Sequence, residues 1–162
     1  MADNNFICLE LDSVDVANAI RYIAQTKGIN VNMTKINKLL YIAYGTMLVN
    51  QKKRLTSEHP GAWPYGPVFP RVHRNIKLSD SITSSAYDKL RGIDTSITDL
   101  LEDVVNKFGR LSATQLSAWS HQSGSPWDIA VKESNGIWNT KLNDEAINNY
   151  FYSFLNMSVK DE

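Results

Sequence analysis

The side chains best suited to acid–base or metal chemistry are three histidines, His59, His73 and His121, and a single cysteine, Cys8. No histidine has a partner at a metal-ligand spacing such as His-Glu-x-x-His. One cysteine cannot close a disulfide within the chain or supply a cysteine-based zinc site, so we expect Cys8 to be a small buried residue. We expect His59 to lie in a solvated loop and His73 on a helix surface. The sequence therefore predicts no metal site and no cofactor.

His121 has the strongest case for a role, because it ends a predicted helix just before Ser125, Pro126 and Trp127. A helix C-terminus favours a protonated imidazole. We expect this side chain either to bond a terminal carbonyl or to serve catalysis or partner contact. An enzyme would need His121, Lys38 and a carboxylate to converge from distant parts of the chain. No phosphate-binding loop, Gly-x-Ser-x-Gly elbow or Cys-His arrangement occurs, so we predict that the protein is not an enzyme and that no residue is catalytic.

The most distinctive stretch is residues 62–70, Ala-Trp-Pro-Tyr-Gly-Pro-Val-Phe-Pro. Its three prolines fix backbone angles and remove amide donors. Gly66, between Tyr65 and Pro67, indicates a turn that other residues would resist. A rigid loop that carries Trp63 and Tyr65 is either a plug over the core or a recognition surface. Large aromatic side chains are usually buried, which favours the plug.

An amphipathic helix from residue 33 to about residue 49 precedes this loop and should position it. Its apolar residues recur at i, i+3, i+4, i+7 and i+8, which predicts a core helix. Further helices are predicted after the capping residues Ser13, Ser112, Ser125 and Asn143, after Pro70, and over residues 96–108. Residues 78–95 are predicted to be irregular, with one turn at residues 87–90. The lead-in of residues 1–12 could pair with residues 58–68 as a small hairpin-like element.

These elements predict a compact, mainly α-helical single domain over residues 1–162, with a core of roughly residues 13–156, a rigid Pro/Gly/aromatic loop and a small β element. The 162 residues carry no net charge, so the basic footprint of a nucleic-acid-binding protein is absent. Residues 112–131 loosely resemble a helix-turn-helix, but the second helix begins Trp127-Asp128-Ile129 and lacks base-reading side chains. No apolar run approaches a membrane span and the N-terminus lacks a signal-peptide pattern, so we expect a cytoplasmic protein.

Three motifs occur in order along the chain: Lys-Leu-Leu-Tyr at residues 38–41, Trp-x-x-Gly-Pro-Val at residues 63–68, and His-x-x-x-x-Pro-Trp at residues 121–127. Together, and with the sequence around them, they resemble the Panacea domain of SocA-like antitoxins, which also occurs in proteins labelled phage-associated. The resemblance extends over roughly residues 15–154. Two features depart from the family pattern. Asn37 stands where family members often have Gln, and the spacer between His121 and Pro126 differs by a residue or so.

The resemblance implies a binding function rather than a catalytic one. Members of this family neutralise a toxin encoded beside them by direct contact, and the SocA branch acts as an adaptor that delivers its toxin to the ClpXP protease. We therefore predict an antitoxin with a cognate toxin protein as partner, and delivery to ClpXP is the alternative. The residues predicted to bind the partner, most of them in the family motifs, are Lys38, Tyr41, Trp63, Tyr65, Gly66, Pro67, His121 and Trp127.

Overall fold

A computed structural model describes residues 6–160 of the chain, with side chains described through residue 156. Helices dominate this part, as the sequence predicted, and the strands form only small sheets. The first five residues of the predicted lead-in lie outside the described part. The elements in chain order are β1 Ile7–Leu11, α1 Ser13–Thr26, α2 Met33–Gln51, β2 Lys53–Thr56, β3 Gly61–Trp63, β4 Gly66–Val68, α3 Pro70–Asn75, α4 Ser85–Ile93, α5 Thr95–Phe108, α6 Ala113–Ser120, α7 Pro126–Glu133, β5 Thr140–Lys141 and α8 Asp144–Lys160.

The helix α2 lies at the centre of the fold. Residues 36–48 are all buried, including the polar Asn37 and Lys38 that the sequence places off the apolar stripe. The helices α1, α5, α6 and α8 and the strand β2 all pack against α2. Because neighbours surround α2 on every side, it is buried all round instead of along one face. The predicted role of this helix as a core element is confirmed.

Several predicted helix starts are confirmed by their capping bonds. Ser112 and Gln115 form the complete capping box that opens α6, and the Ser125 side chain accepts from the third residue of α7. The predicted cap of α1 is wrong by one residue. Asp12 accepts from the backbone of Val14, whereas the Ser13 hydroxyl donates to Glu58 at 2.6 Å. A carboxylate one residue earlier therefore replaces the expected hydroxyl cap.

The small β structure differs from the predicted pairing. The lead-in strand β1 pairs in parallel with β2, and residues 58–68 instead form their own hairpin from β3 and β4. Lys52, in a left-handed conformation at the end of α2, turns the chain directly into β2. Cys8 on β1 is only half-buried, with its sulfur 3.7 Å from the carbonyl oxygen of Thr56. The short strand β5 adds to β3 on the side away from β4.

The segment predicted to be irregular contains a helix, α4, that is longer than the single turn expected. Leu90 is buried, and the Tyr87 ring lies 5.3 Å from the Tyr22 ring on α1. The Tyr87 hydroxyl also donates to Glu102 on α5 at 2.8 Å. These contacts stabilise a helix whose polar sequence gives little sign of it. None of the described helices is long and apolar enough to cross a membrane.

Candidate functional site

The Pro/Gly/aromatic stretch folds as a tight hairpin. Ala62 pairs with Pro67 and Trp63 pairs with Gly66, which leaves Pro64 and Tyr65 as the turn. Ala62 and Pro67 are buried, Trp63 is half-buried, and Tyr65 at the tip is 75% exposed. The hairpin therefore combines the two interpretations of this loop, because one part covers the core and another faces solvent.

Gly66 is required by both its conformation and its surroundings. Its φ of 114° lies in a region that side-chain-bearing residues rarely adopt. A Cβ atom here would also collide with the hydroxyl oxygen of Ser120 and approach Lys38 Cε to 3.0 Å. The hairpin thus lies directly on α6 and α2, with no space for a side chain between them.

Two polar side chains of α2 hold the hairpin from below. The Lys38 ammonium donates to the carbonyl oxygen of Pro67 at 3.0 Å, and the Asn37 amide oxygen accepts from the backbone N–H of Phe69 at 2.8 Å. Lys38 is 1% exposed, and this burial lowers its pKa to about 8 because the charged form loses its water. Lys38 is therefore placed beneath the hairpin and not on its outer surface.

Tyr41 lies deeper still. Its ring is fully buried, 6.0 Å from the Trp119 ring and 5.3 Å from the Phe151 ring. Its hydroxyl has no hydrogen-bond partner among the described residues, and burial raises its pKa. In this conformation a partner protein cannot reach Tyr41, whose contacts are those of a core residue.

The predicted residues His121 and Trp127 come together with the hairpin. The indole N–H of Trp127 donates to the carbonyl oxygen of Trp63 at 2.6 Å, which ties α7 to β3. The His121 ring meets the Trp127 ring edge-on at 5.4 Å. The Nδ1 atom of His121 is buried and lacks a hydrogen-bond partner in the described part of the chain. On the other side of the hairpin, the Ser117 hydroxyl of α6 donates to the carbonyl oxygen of Tyr65 at 2.6 Å.

An aromatic face, which we define as Trp63, His73, Ile137 and Trp138, covers the outside of β3. The Trp63 ring lies 5.0 Å from the His73 ring and 5.2 Å from the Trp138 ring. Trp138 is 64% exposed and Ile137 is 66% exposed. The Trp63 indole N–H also donates to the Asn139 side chain at 2.9 Å, which fixes its orientation. Exposed apolar clusters of this kind are typical of interaction sites.

Sequence reasoning missed Trp138 and gave His73 no part in a site. One local signal was available, since Ile137 and Trp138 directly follow Asn135-Gly136, a pair typical of the end of a helix, and so belong to no apolar stripe. His73 joins the cluster only because α3 packs beside β3, and the sequence does not show that contact.

A second polar cluster lies between β2 and the start of α8. The fully buried Asp144 accepts from the hydroxyl of Tyr44 and lies 3.4 Å from Arg54 and 3.5 Å from His59. Burial alone would raise the pKa of Asp144, but hydrogen bonds from His59 and Tyr44 and the charge of Arg54 hold it below its usual value. His59, expected in solvent, is 17% exposed because it packs on this carboxylate. The cluster anchors α8 to β2 and α2.

The three histidines contact different partners: His59 packs on Asp144, His73 on Trp63 and His121 on Trp127. Across the described residues, no group of three or more histidine, cysteine, aspartate or glutamate side chains could hold a metal ion. His121 and Lys38 belong to different contacts of the hairpin, with aromatic and backbone partners respectively. The surface geometry is instead that of a rigid platform bearing exposed aromatic side chains.

Comparison with known proteins agrees with the motifs and the fold. The sequence model of the family described as "Antitoxin SocA-like, Panacea domain" matches residues 36–128. The chain belongs to this family. It is also 35% identical over 131 residues to the Antitoxin SocA of Caulobacter vibrioides (strain NA1000 / CB15N), which covers 74% of this chain and 70% of that protein. No solved structure matches the chain.

Membership of the Panacea family confirms the resemblance found in the sequence and supports an antitoxin role. The matched span contains α2 from residue 36 onward, the hairpin and the start of α7. Trp138 and Asp144 lie beyond it. The family match therefore covers the hairpin and its supports, but only part of the aromatic face.

Proposed function

We propose that this protein is an antitoxin that neutralises a cognate toxin by binding it directly, without catalysis. Family membership supports the antitoxin role. The observation that carries direct binding is the aromatic face, where Trp138 is 64% exposed and packs against Trp63. Tryptophan and tyrosine are enriched among the residues that contribute most to binding energy.

The hairpin is held from three sides before any partner arrives. Lys38 bonds its strand β4 from α2, Ser117 bonds its tip from α6, and Trp127 bonds its strand β3 from α7. A side chain already fixed in place loses little conformational entropy when it binds. This arrangement suits Trp63 and Tyr65 as anchors for a partner protein.

The eight predicted residues divide into two groups under this proposal. Trp63, Tyr65, Trp127 and His121 lie at or near the surface and contact the toxin. Lys38, Gly66 and Pro67 are buried and maintain the shape of the hairpin, and Tyr41 packs in the core against Trp119 and Phe151. Trp138 and His73 join the contact group.

The test combines a growth assay with a binding measurement. The gene beside this one is expressed alone and then together with this chain, and purified proteins are mixed to measure Kd. Trp138→Ala and Tyr65→Ala are expected to weaken binding by roughly 30-fold each, the factor that corresponds to losing one hot-spot side chain. Tyr152→Ala is the matched control, because Tyr152 is an aromatic residue of α8 with 58% exposure.

The proposal fails if the neighbouring gene is harmless, or if it stops growth whether or not this chain is present. It also fails if Tyr152→Ala weakens binding as much as Trp138→Ala. Delivery to ClpXP, the alternative implied by the resemblance, predicts a different result. The toxin would then disappear faster only when both this chain and the protease are present, and growth would not recover in cells without the protease.

A further inference from the structure

A basic cleft lies beside the aromatic face, between α3 and the strands β3 and β5. Its volume is about 490 Å³, and Arg71, Arg74 and Lys141 line it together with His59 and Glu58. The chain as a whole has equal numbers of basic and acidic residues. Because the chain is neutral as a whole, three basic residues around one cleft are a local excess of positive charge.

Two of the three cations in the basic cleft are available to a ligand. Arg71 pairs with Asp12 at 3.1 Å, whereas Arg74 and Lys141 form no ion pair with any described residue. The Glu58 carboxylate is already engaged, since it accepts from the Ser13 hydroxyl and from the backbone N–H of Arg71.

The carboxylate beneath the basic cleft is also compensated. Asp144 packs against His59 but is fully buried and paired with Arg54. Its charge therefore offsets that of Arg54. Among the residues that line the cleft, Arg71, Arg74 and Lys141 outnumber the Glu58 carboxylate. The free charge in the cleft is positive.

The basic cleft and the aromatic face form one continuous surface. Asn139 lines the cleft and accepts the indole N–H of Trp63 at 2.9 Å. Arg74 in the cleft follows His73, whose ring packs on Trp63. Asn139 of the cleft also follows directly after Trp138 of the aromatic face in the sequence. An extended segment lying across this surface would meet positive charge and aromatic side chains within a few residues of each other.

We propose that this combined surface docks an acidic segment of the toxin, with carboxylates at Arg74 and Lys141 and an apolar side chain against Trp63 and Trp138. The inference rests on the proposed function and names the chemistry of its partner. Opposite charges across an interface select the partner and speed its association. A nucleic acid fits less well, because phosphate backbones are bound by long basic grooves, whereas Arg71, Arg74 and Lys141 are gathered in one short cleft.

Charge reversal tests the proposal on the full chain and the purified toxin. Arg74→Glu and Lys141→Glu are each expected to raise Kd about tenfold, mainly through slower association. Lys107→Glu is the matched control, because it changes the net charge equally at an exposed lysine of α5, away from the cleft. Raising the salt concentration from about 50 to about 300 mM should weaken wild-type binding, and should weaken binding by the two cleft variants less. Circular dichroism checks that all three variants are folded.

The outcomes separate this inference from the proposed function. If the wild-type chain neither binds nor neutralises the toxin, the proposed function is wrong, and the acidic-segment proposal that rests on it is wrong as well. If the wild-type chain neutralises the toxin but both cleft variants bind like Lys107→Glu, only the acidic-segment proposal is overturned. It is also overturned if duplex DNA binds the cleft more tightly than the toxin does and Arg74→Glu abolishes that binding.

Discussion

Replacing Lys38 by methionine tests how much stability is lost by burying an ammonium beneath the hairpin. Methionine keeps a straight apolar chain of similar length but cannot carry charge or donate to the carbonyl oxygen of Pro67, which lies 3.0 Å from the lysine nitrogen. Lys38 is 1% exposed, and its pKa falls from 10.5 to about 8 because burial disfavours the charged form. The charged lysine therefore costs stability at neutral pH.

The sign and size of this effect follow from proton linkage. Between pH 8 and pH 10.5 the unfolded chain holds the lysine proton more tightly than the folded chain, so stability contributed by this residue rises with pH. A pKa lowered to about 8 corresponds to a penalty of roughly 3 kcal/mol at pH 7. About 1.4 kcal/mol of that penalty is relieved between pH 7 and pH 9. The hydrogen bond to Pro67, worth about 1 kcal/mol, persists in the neutral amine and adds no slope.

Urea denaturation followed by circular dichroism, repeated from pH 7 to pH 9.5, measures the difference between the wild-type chain and Lys38→Met. Between pH 7 and pH 9, the free energy of unfolding of the wild-type chain should rise by about 1.4 kcal/mol relative to that of the variant. The buried Tyr41 and Tyr44 are common to both proteins, so their contributions cancel in the difference. Lys107→Met controls for the loss of one formal charge. Parallel curves for the wild-type chain and Lys38→Met would refute the argument that burial of the ammonium costs stability.

Two further changes test the hairpin and the polar cluster. Gly66→Ala should lower the free energy of unfolding by about 2–4 kcal/mol, because the positive φ is strained for alanine and the added Cβ meets Ser120. A urea titration that shows a loss of less than about 0.5 kcal/mol would contradict this prediction. Asp144→Asn should cost about 3 kcal/mol by leaving Arg54 without its buried counter-ion. Because the pKa of Asp144 is lowered, wild-type stability is lost as pH falls below about 3.8, and acid denaturation of the variant should show a shallower loss in that range.

Helix signals within a few residues of each other were sufficient to predict most of the fold. Ser112 with Gln115, and Ser125 with Pro126, open their helices as expected, because each capping hydroxyl accepts from a backbone N–H three residues later. The helix α4 was predicted as a single turn only, because its own residues are mostly polar and its stability comes from Tyr87 and neighbouring side chains against α1 and α5. Tertiary contacts of that kind leave little trace in local sequence.

The small sheets were harder to predict for a related reason. Pairing between β1 and β2 joins residues 7–11 to residues 53–56, and nothing in either short segment specifies the other. Strands of three to five residues also carry too few positions to establish an alternating pattern. The hairpin of β3 and β4 was recognisable as a rigid turn from its prolines and glycine, but its pairing with β5 was not.

The candidate site shows where residue type misleads. Lys38 was expected to contact the toxin because it stands in a family motif, yet it is 1% exposed, and lysine is almost never fully buried without a hydrogen-bonding partner. In the structure the carbonyl oxygen of Pro67 supplies that partner from 29 residues away. Trp138 shows the converse, because tryptophan is usually largely buried, yet Trp138 is 64% exposed. Both positions became interpretable only once α2, β3 and β5 were placed together.

The hairpin is not purely a plug, because some of its residues are buried and others face solvent. Ala62 and Pro67, opposite each other in the ladder, are buried, whereas Tyr65 at the tip is exposed. Trp63 packs against Trp138 and donates to Asn139. Burying one side fixes the other, and a fixed surface loses less entropy on binding. A change at Pro67 should therefore alter stability and toxin binding together. A change at Tyr65 should alter binding alone, and a Tyr65 variant that unfolds would show that no such division exists.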